Sequence, residues 1–280
     1  MTLPFYNYFT NGETDENEYA SSSWPGLNIS AHERHIKAQS PMAVQALSSA
    51  VYGGGMFELD RIFNIYVDRH YRCDDPPRDI EQALNEWQEP RDQCAGLLTA
   101  VRLEHTSIQE YTSDEFGLLC CTTAGVSNAA RAGSERTVFD AAGNKTMSSG
   151  RERSAPSARN LTMPSYVPGT INIMLWLNGR MTSGAMVNAV QTAVEAKAAA
   201  LADAGVLDSE NGLPATGTTT DAIVIAVGQA VEVEEPPPMI TYSGTATTAG
   251  AAIGRLVYDT VTESLRAGLL WKRGSGTNDF

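Results

Sequence analysis

Four apolar runs, at residues 62–67, 116–123, 170–177 and 221–227, constrain the fold more than any other feature of this 280-residue sequence. Each is short and bounded by Gly, Ser, Thr, Pro or Asp, which reads as a strand. The last two are the most nearly continuous apolar runs and read as buried strands. Residues 79–89 place Ile80, Leu84 and Trp87 at i, i+4 and i+7, the spacing of a helix face. Residues 94–101, with Leu97, Leu98 and Val101, read as a second helical piece. Ser183 is placed to cap a helix that runs to Ala204, with Gly205 at its C-terminal end. Residues 248–270 line up Ile253, Leu256, Val257 and Val261 as a last helix, and 40–51 read as a strand pair or edge closing on a turn at Gly53, Gly54 and Gly55.

The order is β, α, β, again β, α, β, then a helix. Each half has an apolar strand that carries an asparagine (Asn64, Asn172), a helix, and a Gly/Ser/Thr segment abutting a strand. This pattern predicts an α+β or α/β sandwich of two β-α-β halves with possible internal duplication and a C-terminal helix. The expected organisation is a loose acidic arm over 1–30, one domain over 31–272 and a tail over 273–280. Within the domain, 134–165 has no period and is rich in Ser, Gly, Pro and Arg, so a long loop is expected there.

A formal net charge of −13 argues against nucleic acid and an anionic membrane surface as partners, because both are recognised through Lys and Arg. No apolar run approaches the roughly 18 residues a membrane helix needs. The first 11 residues lack the positive start and long apolar stretch of a signal peptide. The spacing of Cys73, Cys94, Cys120 and Cys121 matches no zinc motif, so a cytoplasmic protein with reduced thiols is expected. No cofactor or metal is expected. His32 and His35 stand at i, i+3, a spacing that could share a helical face, but no third ligand is near in sequence. The sequence contains neither His-Glu-x-x-His nor Gly-x-Ser-x-Gly.

Chemistry is best carried by the Ala-Thr-Gly-Thr-Thr-Thr-Asp-Ala stretch over 215–222, which leads directly into an apolar strand. Asp221 could orient a hydroxyl or act as a base, Thr218 or Thr220 could attack or position water, and Gly217 would let the backbone approach closely. Structurally, the same threonines are strand formers and the aspartate a cap. Between Gly125 and Gly133, Ser127 and Asn128 suit an amide or an oxyanion, or else a simple turn, and Arg131 suits a substrate or a surface carboxylate. Asn188, Thr192 and Glu195 recur at i, i+4 and i+7 on an Ala-rich helix, as a solvent face or as the lining of a pocket.

Six segments, in order, resemble the adenosylcobinamide amidohydrolase family. They are Leu-Ser-Ser-Ala-Val-Tyr-Gly-Gly-Gly at 47–55, Ala-Gly-Val-Ser-Asn-Ala-Ala-Arg-Ala-Gly at 124–133 and Gly-Thr-Ile-Asn-Ile at 169–173. The others are Gly-Ala-Met-Val-Asn-Ala-Val-Gln-Thr-Ala-Val-Glu-Ala-Lys at 184–197, the stretch at 215–222, and Ile-Gly-Arg-Leu-Val-Tyr-Asp-Thr at 253–260. The resemblance runs from about 43 to 265, and the acidic arm and the 134–165 segment depart from it. It implies hydrolysis of the amide joining aminopropanol to a corrinoid, giving adenosylcobyric acid in cobinamide salvage for coenzyme B12 synthesis. The alternatives are a non-catalytic corrinoid-binding protein and an amidohydrolase of another amide. On this reading Asp221, Thr220, Thr218, Asn128 and Ser127 are the catalytic candidates. Asn188, Glu195, Asn172, Gly217 and Arg131 are expected on the substrate side.

Overall fold

The computed structural model describes residues 3–12, 16–68, 70–139, 145–147, 169–229 and 236–274. The chain opens with α1 (Tyr6–Asn11), β1 (Glu18–Ala20), β2 (Asn28–His32), β3 (His35–Ser48) and β4 (Gly55–Tyr66). Next come α2 (Pro76–Glu86), β5 (Cys94–Thr99), β6 (Ser107–Thr112), β7 (Gly117–Ala124) and β8 (Ala129–Ala130). Within the span expected as a long loop, β9 (Thr137–Phe139) pairs with β10 (Lys145–Met147), while 140–144 and 148–168 lie outside the described residues. The remainder is β11 (Ile171–Asn178), β12 (Arg180–Met181), α3 (Ser183–Asp203), β13 (Gly217–Thr218), β14 (Ala222–Val227), β15 (Met239–Ile240) and α4 (Thr248–Gly274).

Helix α2 begins where Asp75 accepts a hydrogen bond from Arg78 N at 3.4 Å and two prolines open the first turn, where a missing N–H costs nothing. Its Ile80, Ala83 and Leu84 are buried, as the spacing predicts. The cap of α3 is Thr182, whose side chain accepts from Ala185 N at 3.2 Å; Ser183 is the first helical residue. That corrects the expected cap, and two further expectations are corrected here. Residues 94–99 form a strand parallel to β4, not a helix: the run is apolar and almost fully buried, and periodicity cannot separate that from a buried helix. His32 and His35 do not share a helix face. They are register partners flanking the β2–β3 turn, with rings stacked at 4.4 Å.

Two groups of four strands share one connectivity. In β2-β3-β4-β5 the first two pairings are antiparallel, and α2 crosses over to make β4–β5 parallel. In β6-β7-β11-β14 the senses are the same, with α3 as the crossover. The C-terminal half of β3 pairs antiparallel with β14, from Ser48↔Val224 to Gln45↔Val227, and this joins the groups into one nine-stranded mixed sheet. A register shift between Gln39 and Val44 lets the N-terminal half of β3 pair with β2 and its C-terminal half with β14, so the sheet curls.

Alternation along the central strands fills a core on each face. Cys120, Ile173, Leu175, Ile223 and Ile225 face α3 and α4. Cys121, Met174, Trp176, Val224 and Ala226 face the opposite way, toward Ile29, Ile36, Ile62 and Leu97. The two strand asparagines meet inside this curl. Asn172 Nδ2 donates to Asn64 Oδ1 and to Leu98 O, both at 2.8 Å, and Asn64 Nδ2 donates to Thr123 Oγ1 at 2.9 Å.

The acidic N-terminal segment, expected to be loose, is tied down where it is described. Phe5 and Trp24 are buried, β1 pairs with β2, and Glu110 accepts from Tyr19 Oη at 2.7 Å and Ser23 N at 2.6 Å. Among the described residues, no helix is long and apolar enough to cross a membrane.

Candidate active site

The two Gly/Ser/Thr segments singled out in the sequence are brought together by a short ladder. Gly217 and Thr218 of β13 pair antiparallel with Ala130 and Ala129 of β8. Thr216 extends it, donating N–H to Ala130 O at 3.0 Å and accepting from Ala132 N at 2.9 Å. The ladder stands at the amino ends of β11 and β14. Asp221 sits there, one residue before β14.

Both oxygens of Asp221 are occupied. Oδ1 accepts from Ile171 N at 3.0 Å and from the Thr218 hydroxyl; Oδ2 accepts from Thr218 N at 3.0 Å and from the ammonium of Lys197. Four donors converging on one carboxylate suit it to hold the Thr218 hydroxyl in place rather than to accept a proton from water. Gly217 is required beside this pair, because a Cβ there would stand 2.8 Å from Lys197 Nζ and closer still to Asp221 Oδ2.

A cleft of about 700 Å³ opens along this wall, lined among others by Arg131, Arg136, Glu195, Lys197, Gly217 and Thr218. Asp208 shapes its rim, accepting from Arg131 N at 2.7 Å, Glu210 N at 2.8 Å and Arg136 at 3.4 Å. The guanidinium of Arg131 donates to Pro214 O at 2.8 Å. On the other side of the turn, Thr220 borders a separate apolar pocket of about 100 Å³ with Leu98 and Asn172, and its hydroxyl donates to Gly169 O at 2.9 Å.

Asn128 and Ser127 immediately precede β8 and do not line the cleft. Asn128 Nδ2 donates to Thr219 Oγ1 at 2.7 Å, while its Oδ1 is buried with no hydrogen-bond partner among the described residues; Ser127 is exposed. The proposed stripe of Asn188, Thr192 and Glu195 divides. Glu195 is exposed on the cleft, and Thr192 is buried with its hydroxyl donating to Ser243 O at 2.9 Å. Asn188, about 10 Å further along the helix axis, donates to Gln191 and stands apart from the cleft. Asn172 is 1% exposed, with both amide hydrogens engaged in the buried asparagine network. Among the described residues, no three His, Cys, Asp or Glu side chains cluster as a metal site requires.

Lys197 is the functional candidate that sequence reasoning missed. Its signal was present: Ala185, Ala189, Ala193, Lys197 and Leu201 fall at every fourth position of α3, and all five are buried. A lysine in such a stripe calls for a carboxylate partner.

The chain is similar to known proteins over most of its length. The family model of adenosylcobinamide amidohydrolase matches residues 22–270. An adenosylcobinamide amidohydrolase of Methanosarcina mazei is 28% identical over 84% of this chain and 96% of its own length. One of Halobacterium salinarum is 30% identical over 78% of each chain. An uncharacterised protein of Methanocaldococcus jannaschii is 31% identical over 66% of this chain and 67% of its own. The match spans both strand groups, α3 with Lys197, the β8–β13 ladder and Asp221, so the chain belongs to the adenosylcobinamide amidohydrolase family and is a hydrolase of an amide bond.

Proposed function

We propose that this chain hydrolyses the amide joining aminopropanol to the corrinoid of adenosylcobinamide, releasing aminopropanol and adenosylcobyric acid for coenzyme B12 synthesis. The family supplies the substrate class. The observation that carries the reading is the fixed Thr218–Asp221–Lys197 cluster on the wall of a cleft of about 700 Å³, open enough for a large, amide-decorated acyl group. Thr218 attacks the carbonyl carbon or positions the attacking water, and Asp221 orients its hydroxyl. Arg131 and Glu195 on the cleft wall contact the corrinoid side chains. The four cysteines are free thiols, in keeping with a reducing cytoplasm as the place of reaction.

Purified protein incubated with adenosylcobinamide, with products separated by chromatography, tests this. Free aminopropanol and a corrinoid carrying a new carboxylate are expected. A corrinoid that binds and is recovered unchanged would instead identify a carrier, and cleavage of other amides alone would reassign the substrate.

A further inference from the structure

Lys197 brings more to the cleft than its ion pair uses. It lies in the apolar stripe of α3 and is 6% exposed, yet it lines the cleft. A lysine ammonium has three N–H donors, and leaving them unmet in so buried a place is costly. Among the described residues its hydrogen-bond acceptor is Asp221 Oδ2. That carboxylate is itself held by Ile171 and Thr218, so its position is fixed and it fixes the ammonium in turn. The other donors have no acceptor among the described residues. They border the cleft, where an oxygen arriving with the substrate can meet them.

We propose that Lys197 is the electrophilic group of the site, donating to the carbonyl oxygen of the scissile amide and holding the negative charge that develops on it. The inference rests on the amide hydrolysis proposed above and supplies that reaction with its oxyanion holder. Asn128, the sequence-based candidate, has one amide hydrogen engaged by Thr219 and is not on the cleft wall, whereas Lys197 is. In the reaction an oxygen nucleophile forms the new C–O bond while the carbonyl π pair moves onto the oxygen beside Lys197. That pair returns as the C–N bond breaks. The proton given up by the attacking oxygen leaves on the departing nitrogen, so Lys197 begins and ends as an ammonium. A fixed cation in a partly dry site stabilises charge where it forms and needs no reorganisation when it does.

The test is steady-state kinetics of Lys197→Met on adenosylcobinamide, per folded molecule. The methionine keeps most of the side-chain length and removes the charge. The expected result is a fall in kcat of about 10²–10³-fold, the usual cost of one oxyanion donor, with KM changed by no more than a few-fold, because the missing contact strengthens only as charge develops. If breaking the buried pair leaves too little folded protein, Lys197→Ala assayed with added ethylammonium replaces it: recovered turnover supports the role, and none in a folded protein contradicts it. A folded Lys197→Met with near wild-type kcat overturns this inference alone. Wild-type protein that releases no amine overturns the hydrolysis reading and this one with it.

Discussion

A methyl group added at Gly217 would stand 2.8 Å from Lys197 Nζ and against Asp221 Oδ2, so the ion pair would have to shift to admit it. Gly217→Ala is therefore expected to lower both the melting temperature and turnover, read by calorimetry and by amine release; a variant with both intact would show that the pair has slack. Thr218 separates chemistry from packing more cleanly. Thr218→Val keeps the shape but removes the hydroxyl that donates to Asp221, and a loss of at least about a hundredfold in kcat is expected; Thr218→Ser should retain most activity. If Val and Ser are equally active, the Thr218 oxygen has no part in the reaction. At this scale the sequence made Asp221, Thr218 and Gly217 legible, because a polar cluster stands directly before an apolar strand. Lys197 was hidden by attention to the polar stripe of Asn188, Thr192 and Glu195, although the every-fourth-residue apolar stripe it interrupts was equally available.

At the level of elements, β3, β4, β7, β11, β14 and all three long helices follow from composition and spacing, but β5 does not. Its Cys-Ala-Gly-Leu-Leu-Thr run, paired with β4, is buried almost throughout, so no alternation survives to mark a strand. The attachment of the N-terminal segment was illegible for another reason: its partner, Glu110, lies about ninety residues away in sequence. Burial alone would push the Glu110 carboxyl up, but hydrogen bonds from Ser23, Tyr19 and Ser22 outweigh it and hold the pKa down at about 2, below the ordinary 4.5. The sign follows. The stabilisation is fully present above about pH 4.5 and is lost as pH falls toward 2, where the folded state no longer binds fewer protons than the unfolded one. Melting temperatures of the wild type and Glu110→Gln should therefore differ at pH 6 and converge as pH drops through that window. A gap that stays constant down to pH 2 would remove Glu110 from the acid response.

Across the whole molecule, an asparagine-bearing strand followed by a helix was readable in each half, and the structure shows two groups of identical connectivity; the strand that closes the first, β5, was not readable, and 116–123, expected to close it, is β7 of the second group. How the groups join was not readable, because the β3–β14 pairing links residues some 180 apart with no local signature. The asparagines that marked the pattern bind the halves to each other. Asn172→Leu would leave Leu98 O and Asn64 Oδ1 without their donor, and a loss of about 1–3 kcal/mol per orphaned group is expected in urea unfolding. An unchanged midpoint would mean that the curl is held by packing alone. In the proposed function, this molecule cleaves the aminopropanol amide with Asp221 at the heart of its site. The most direct measurement is the rate of aminopropanol release from adenosylcobinamide by wild type and Asp221→Asn side by side, normalised to folded protein. One aminopropanol per corrinoid consumed is expected from the wild type. For the variant a rate lower by at least about a hundredfold is expected, since an amide sets a donor against one of the four that Asp221 now accepts. Equal rates from the two proteins, or corrinoid bound with no aminopropanol released, would contradict the proposed function.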